Sequence, residues 1–341
     1  MGCAITEILK AEEITLDRLK GKILAVDTMN QLYMFLSSIR GADGSYLADS
    51  KGNVTSHLSG LFFRFAKLMG SGLRFAFVFD GKMNELKRKE VERRKNIKIE
   101  AQKEFMAAEA RQDLEAMKKY AARTTRMTPE MKEEATKLIK LMGMPVIQAP
   151  GEGEAQACHL VNKGQAYAVL SQDADALLFG GARVVKNLSI TQRRKQTSKL
   201  AYQSIMPEII SLKDNLTNLN LSQDELIALG LLVGTDFNVG GIKGLGPKKA
   251  MKLIREHKDL NDLFKAAKWK EHFDFPWKKV FDLFKNAPMS EDYELDWKEP
   301  DCEGIIQLLV DEHEFSRQRV QDVLDNLKKQ DSRQKGLGDF F

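Results

Sequence analysis

Short unbroken apolar runs, rather than alternating ones, set the hydrophobic pattern of the chain up to Asp175. Four stand out: KILAV before Asp27, LRFAFVF before Asp80, PVIQA before Glu152 and AYAVLSQ before Asp173. Runs of this kind fit strands buried on both faces of a parallel sheet, and helix-period segments separate them. The pattern predicts a strand over 22–27, a helix through TMNQLYMFLSSIR, a Gly-rich loop (GADGSYLADSKGN), a helix over 54–70 and a strand over 73–79. Thr128 as N-cap and Pro129 at the first helical position start a helix that runs to Met142. Strands near 145 and 167, with a helix over 152–163 between them, make a right-handed βαβ unit. From about 222 the chain reads as helical with short turns. These elements describe an α/β fold with a central, mostly parallel twisted sheet.

Acidic residues mark the ends of the apolar runs. Asp27, Asp80, Glu152, Glu154, Asp173, Asp175 and Asp236 each lie just past a strand-like run or at a helix start. In an open α/β sheet the carboxyl ends of the strands share one crevice, so these residues would converge. Such a crevice is tolerable only if some groups protonate or cations bind among them, and all-oxygen ligands suit Mg2+ or Mn2+. Each motif alone also has a structural reading. Asp27 and Asp80 can cap the next helix, Asp173-Ala-Asp175 can be a turn, and Glu152 and Glu154 suit a helix N-terminus. Independent caps, however, need not all fall on one edge of one sheet. Their conjunction points to metal-dependent phosphoryl chemistry.

Composition narrows the class. With 341 residues, 43% of them hydrophobic, the chain can bury a full core as one large α/β domain with insertions or as two closely joined domains. Cys3, Cys158 and Cys302 form no CxxC pair, and with five scattered histidines neither a disulfide framework nor zinc chemistry is indicated. No signal pattern and no membrane-length apolar run is present, so an intracellular, soluble protein is expected. Net charge is only +5, but residues 82–126 hold 14 Lys and Arg against 8 Asp and Glu. The basicity is therefore local, in a Gly- and Pro-free segment of helix formers that begins directly after Asp80. A solvated helical excursion is one reading of it. Lys87 and Arg94, seven residues apart, share a helix face that could reach a metal-held phosphate.

A second basic motif is GGIKGLGPKKAMKLI, residues 240–254. Gly244 and Gly246 make a tight turn into a helix that opens with Pro247, Lys248 and Lys249, and backbone N–H groups there would grip an anion. The pattern is that of a helix-hairpin-helix, which holds a DNA phosphate without reading bases. No P-loop is present. The chain ends QKGLGDFF, placing Gln334, Leu337, Phe340 and Phe341 in a Q-x-x-L-x-x-F-F arrangement.

Taken in order, VD at Asp27 with Tyr33, FVFDG ending at Gly81, GEGEA at 151–155, SQDADALLFG at 171–180, GTD at Asp236 and GIKGLGPKKA at 241–250 resemble the flap endonucleases over essentially the whole chain. These are structure-specific 5'-nucleases of replication and repair, and the chain looks like their archaeal members. The resemblance implies a PIN-like nuclease core in two parts (1–83 and 128–238), a basic helical arch (84–127), a helix-three-turn-helix DNA-binding and helical region (239–330), often with K+, and a flexible tail (331–341). It implies two Mg2+ ions, one held mainly by Asp27, Asp80, Glu152 and Glu154 and the other by Asp173, Asp175 and Asp236. Lys87 and Arg94 match arch residues that stabilise charge on the scissile phosphate, and Tyr33 matches an aromatic on which a base stacks. Gly2 suits close approach to DNA, while Arg40, Thr55 and Arg319 fall where the family handles the junction and the 3' flap. The tail resembles a sliding-clamp (PCNA) interaction peptide. A monomer acting on 5'-flap DNA in the cytoplasm of an archaeon, or in the nucleus if eukaryotic, is what the resemblance implies; the alternative is a noncatalytic, clamp-tethered protein that binds DNA junctions. One departure is plain: Met83-Asn84 stands where the family has a Pro pair.

Overall fold

The computed structural model describes residues 4–121, 124–188, 193–195 and 202–338. Its main sheet has seven strands: β1 (Glu12–Glu13), β2 (Ile23–Asp27), β3 (Arg74–Phe79), β4 (Val146–Gln148), β5 (Ala168–Leu170), β6 (Arg183–Lys186) and, after a separate β7–β8 hairpin (Arg193–Lys195 and Tyr202–Ser204), β9 (Glu208–Ser211). The order across the sheet is β1-β9-β6-β5-β2-β3-β4. Strands β6, β5, β2, β3 and β4 run parallel, and β9 pairs antiparallel with both β6 and β1.

The two longest strands pair with each other at the centre, Ala25 opposite Ala76 and Val26 opposite Phe77. That pairing corrects the simplest picture of the βαβ unit at 145–167. Its strands are parallel, but β3 and β2 lie between them, so the helix Gly153–Asn162 crosses the sheet over two strands.

Residues alternate between two cores, as strand geometry requires. Ala25, Ala76, Val78 and Val169 face one layer with the helices Gly153–Asn162, Gln223–Val233 and Pro247–Glu256. On the other face, Leu24, Val26, Phe75, Phe77 and Phe79 pack against the helices Ser56–Gly70 and Pro129–Leu141. Phe65 sits edge-on to Phe75 and Phe77, with ring centroids 4.8 Å away in both cases. Small side chains on the first face let the crossover helix lie close to β2 and β3.

Thr128 caps its helix through a bond from the Met131 N–H (3.3 Å), with Pro129 at the start. The basic segment forms a long helix, Arg88–Ala110, followed by Leu114–Ala121. Of the long helix's residues only Glu90, Ala101 and Ala108 are buried, so it stands largely outside the core. Asn84 explains how the chain starts it without a Pro pair. Its side chain accepts from the Leu86 N–H (3.0 Å) and caps the short turn Glu85–Lys87.

At the other end, the helix Arg317–Gly338 continues through 331–338, which the sequence reads as a flexible tail; NLKKQDSRQK is rich in helix formers. Among the described residues, no helix is long and apolar enough to cross a membrane.

Candidate active site

Asp27 is the last residue of β2 and also the N-cap of the helix Thr28–Ser38, accepting from the Asn30 N–H at 3.1 Å. The capping reading of this residue holds: one oxygen caps, while the other accepts from Ser171 Oγ at 3.1 Å. Ser171 stands within 3.3 Å of Glu154 Oε1 as well, so one hydroxyl links the ends of β2 and β5 to the crossover helix. Asn30 extends the link, donating through Nδ2 to Asp173 (3.0 Å) and accepting from the Gln172 N–H (3.1 Å).

Asp80 follows β3 directly, and its Oδ1 accepts from the Gly153 N–H at 2.6 Å. A Cβ at Gly153 would lie 2.8 Å from that same oxygen, and one at Gly81 would lie 2.0 Å from the Ala149 carbonyl oxygen. Glycine at both positions allows the end of β3 to meet the start of the crossover helix, bringing Asp80 to Glu152 and Glu154.

All seven carboxylates belong to one electrostatic unit. Burial, then Asp80 and Asp173, push the Asp27 carboxyl up to about 7. Burial, Asp27, Asp175 and Asp173 hold Glu154 well above the usual carboxylate range. Glu152 is raised by burial, against which Lys87 acts, and it also feels Asp80 and Asp236.

Two cations from the long basic segment enter this crevice. Lys87 contacts Glu152 and lies 3.9 Å from Asp236; burial would lower its ammonium, but Glu152, Asp80 and Asp236 outweigh that and hold it above its ordinary range. Arg94 donates one terminal nitrogen to both Asp236 oxygens, at 2.8 and 2.9 Å. The two do not lie on one continuous helix, because Lys87 ends the short turn Glu85–Lys87 and the helix begins at Arg88, yet both reach the same crevice.

Oxygen donors whose charge is held off by burial and mutual repulsion fit hard divalent cations, which would relieve both. Among the described residues, no three acidic, His or Cys side chains are already closed around one ion position. Lys87 and Arg94 instead neutralise Glu152 and Asp236.

The other expected site residues separate into groups. Tyr33 is part-exposed on the helix that Asp27 caps, with the Lys98 ammonium 5.2 Å from its ring centroid. Lys248 and Lys249 are exposed at the start of the helix Pro247–Glu256, with Gly246 at its N-cap and Gly244 at φ +83° in the preceding turn. Arg40 donates to the Leu36 carbonyl (2.9 Å), the Gly44 carbonyl (3.1 Å) and Thr125 Oγ1 (3.0 Å), and its guanidinium lies 3.9 Å from the Tyr46 centroid. That side chain ties the Gly-rich loop to the end of the basic segment. Thr55 is buried at 6% exposure ahead of the helix Ser56–Gly70. Arg319 is exposed, its guanidinium 4.9 Å from the Phe63 centroid. Gly2, Phe340 and Phe341 lie outside the described residues, as do the side chains of Gln334 and Leu337.

Sequence reasoning passed over Asn30, Ser171 and Glu90. Asn30 carried a signal, three residues after an N-cap Asp, and Ser171 stands two before Asp173. Glu90 is four residues before Arg94, the spacing of a helical ion pair.

Flap endonuclease 1 of Pyrococcus horikoshii is 46% identical to the chain over 329 residues, covering 96% of this chain and 94% of that protein. The chain belongs to the flap endonuclease family. The XPG N-terminal domain matches residues 4–101, which include Asp27, Asp80, Lys87 and Arg94, and the XPG I-region matches 143–236, which include the other five carboxylates. A solved structure of flap endonuclease-1 from Methanococcus jannaschii superimposes with a TM-score of 0.76 at 36% identity, covering 97% of this chain and 99% of that one. The catalytic core of Rad2 in complex with a DNA substrate gives a TM-score of 0.70 at 25% identity, over 96% of this chain and 100% of that one. The sheet and its surrounding helices are thus a PIN-like nuclease core of the flap endonuclease type.

Proposed function

We propose that this chain cuts 5' flaps where single-stranded DNA meets duplex, by two-metal-ion phosphodiester hydrolysis, with an associated 5'-to-3' exonuclease activity, in Okazaki-fragment maturation and repair. The observation that carries this reading is the gathering of seven carboxylates at one sheet edge with Lys87 and Arg94 reaching into it. Asp27, Asp80, Glu152 and Glu154 would hold one ion and Asp173, Asp175 and Asp236 the other. Mg2+, or Mn2+ in its place, would supply an activated water and charge neutralisation at the leaving oxygen.

The protein's own groups do the rest. Ser171 and Asn30 hold the carboxylates of Asp27, Glu154 and Asp173 in fixed orientations. Lys87 at the end of the short turn and Arg94 on the helix that follows exchange their carboxylate partners for the non-bridging oxygens of the scissile phosphate, where a preorganised charge counts most. Tyr33 offers a half-exposed ring at the same edge for a base next to the cut. Lys248, Lys249 and the turn at Gly244 and Gly246 grip the duplex backbone, with K+ as a further ligand of that turn. Gln334, Leu337, Phe340 and Phe341 tether the enzyme to the sliding clamp. Arg319 meets the 3' side of the junction; Arg40 and Thr55 serve that region by holding its loop and helix in place.

Cleavage of a synthetic double-flap DNA tests the reading. With Mg2+ present, a product cut at the base of the 5' flap is expected. Tight binding of the same DNA with no cleavage in Mg2+ or Mn2+ would instead favour a noncatalytic junction-binding protein.

A further inference from the structure

We infer that Glu90 is a positioning residue for Arg94, fixing through its carboxylate the guanidinium that acts at the scissile phosphate; the inference rests on the function proposed above. Glu90 is an acid only 3% exposed on a helix whose other buried residues are two alanines, Ala101 and Ala108. Its two oxygens take the fork of Arg93, Nε and a terminal nitrogen both at 2.7 Å, and one of them also takes the Nε of Arg94. Burial would raise the Glu90 carboxyl, but the two guanidinium groups overcome that and hold it below its usual range.

The geometry divides the work of the Arg94 side chain. Its Nε edge is bound to Glu90, on its own helix one turn earlier, and its terminal nitrogen points forward to Asp236. A free arginine side chain carries considerable rotamer entropy. An anchor at Nε removes that freedom and leaves the forward donors for the crevice. Charge alone gives no reason for a carboxylate here, because a negative group near a polyanionic substrate weakens binding. A competing explanation is that Glu90, third residue of the helix, merely favours the helix start through the dipole.

The two explanations part on chain length and charge. Single-turnover cleavage and equilibrium binding of flap DNA are measured for Glu90→Ala, Glu90→Asp, Glu90→Gln, Arg94→Ala and the Glu90→Ala/Arg94→Ala pair. Loss of a charge-assisted bond that orients the guanidinium should slow cleavage by Glu90→Ala ~10-fold or more, with DNA bound as tightly as before or tighter. Asp keeps the charge but is one methylene too short to reach Nε, so Glu90→Asp should be as slow as Glu90→Ala. Gln keeps length and an acceptor oxygen and should recover most of the rate. In the Arg94→Ala background, Glu90→Ala should add no further loss. Wild-type cleavage by Glu90→Ala, wild-type cleavage by Glu90→Asp, or additive losses in the pair would each overturn the inference while leaving Arg94 in its role. Wild-type cleavage by Arg94→Ala would remove the role of Arg94 itself and the inference with it.

Discussion

Replacing Asp27 with Asn should stabilise the metal-free protein at pH 8 while abolishing cleavage. Asp27 is 7% exposed, and burial with Asp80 and Asp173 pushes its carboxyl from an ordinary 3.8 up to about 7. A carboxyl raised by folding carries no penalty below 3.8, where it is protonated in both states. The penalty grows as pH rises and is complete above about 7. Linkage puts it at about 4 kcal/mol at pH 8 and about 2 kcal/mol at pH 5 for a group with these two values. Asn is close in shape, remains a good N-cap for Asn30 and cannot ionise, so it removes the penalty. Urea unfolding of chelated wild type and Asp27→Asn at both pH values should show a stability gain for the variant that is roughly 2.5 kcal/mol larger at pH 8. Divalent metal should then stabilise the variant less than wild type. A gain independent of pH, or a variant less stable at pH 8, would refute the account of the crevice as an anionic cluster strained without cations.

Other consequences lie away from the metals. Lys248→Ala with Lys249→Ala should weaken flap and plain duplex binding alike, and it should reduce the slope of log affinity against log salt by about 0.9 for each phosphate no longer neutralised. Filter binding across a salt series checks this, and a loss confined to one DNA sequence would contradict it. Phe340→Ala with Phe341→Ala should nearly eliminate binding to the sliding clamp, since buried aromatic anchors contribute about 2 kcal/mol or more each. Calorimetry with the clamp and a clamp-free cleavage assay decide this together: wild-type affinity, or a lost basal rate, would remove the tail from its tethering role.

Four of the five parallel strands, β2 to β5, were legible because they read as unbroken apolar runs followed by acids; β6 was not, since its two apolar residues, Val184 and Val185, lie between Arg183 and Lys186. The order of the strands was not legible either. Nothing local places β3 and β2 between β4 and β5; that arises because β2 and β3 offer the longest complementary edges. Six of the seven carboxylates could be gathered in advance because strand ends share an edge by topology; Asp236 instead follows the helix Gln223–Val233. Their partners could not be, since Asn30 meets Asp173 across 143 positions and Lys87 meets Glu152 across 65. The packing of Arg40 and Thr55 could not be read from short polar matches either: one side chain reaches three internal acceptors and the other is buried. The start of the arch was hard to read for a simple reason. A side-chain cap from Asn84 does what a Pro pair does by restricting the backbone.

On the function proposed above, the acidic edge of the sheet holds the metals that cut DNA. The most direct test of that central claim is Asp173→Ala, measured for divalent-metal binding by calorimetry and for cleavage and binding of one double-flap DNA. The account predicts weakened metal binding, cleavage lost at saturating Mg2+, and flap binding retained, because losing a carboxylate beside the phosphate relieves repulsion. Near wild-type cleavage with unchanged metal affinity would contradict it.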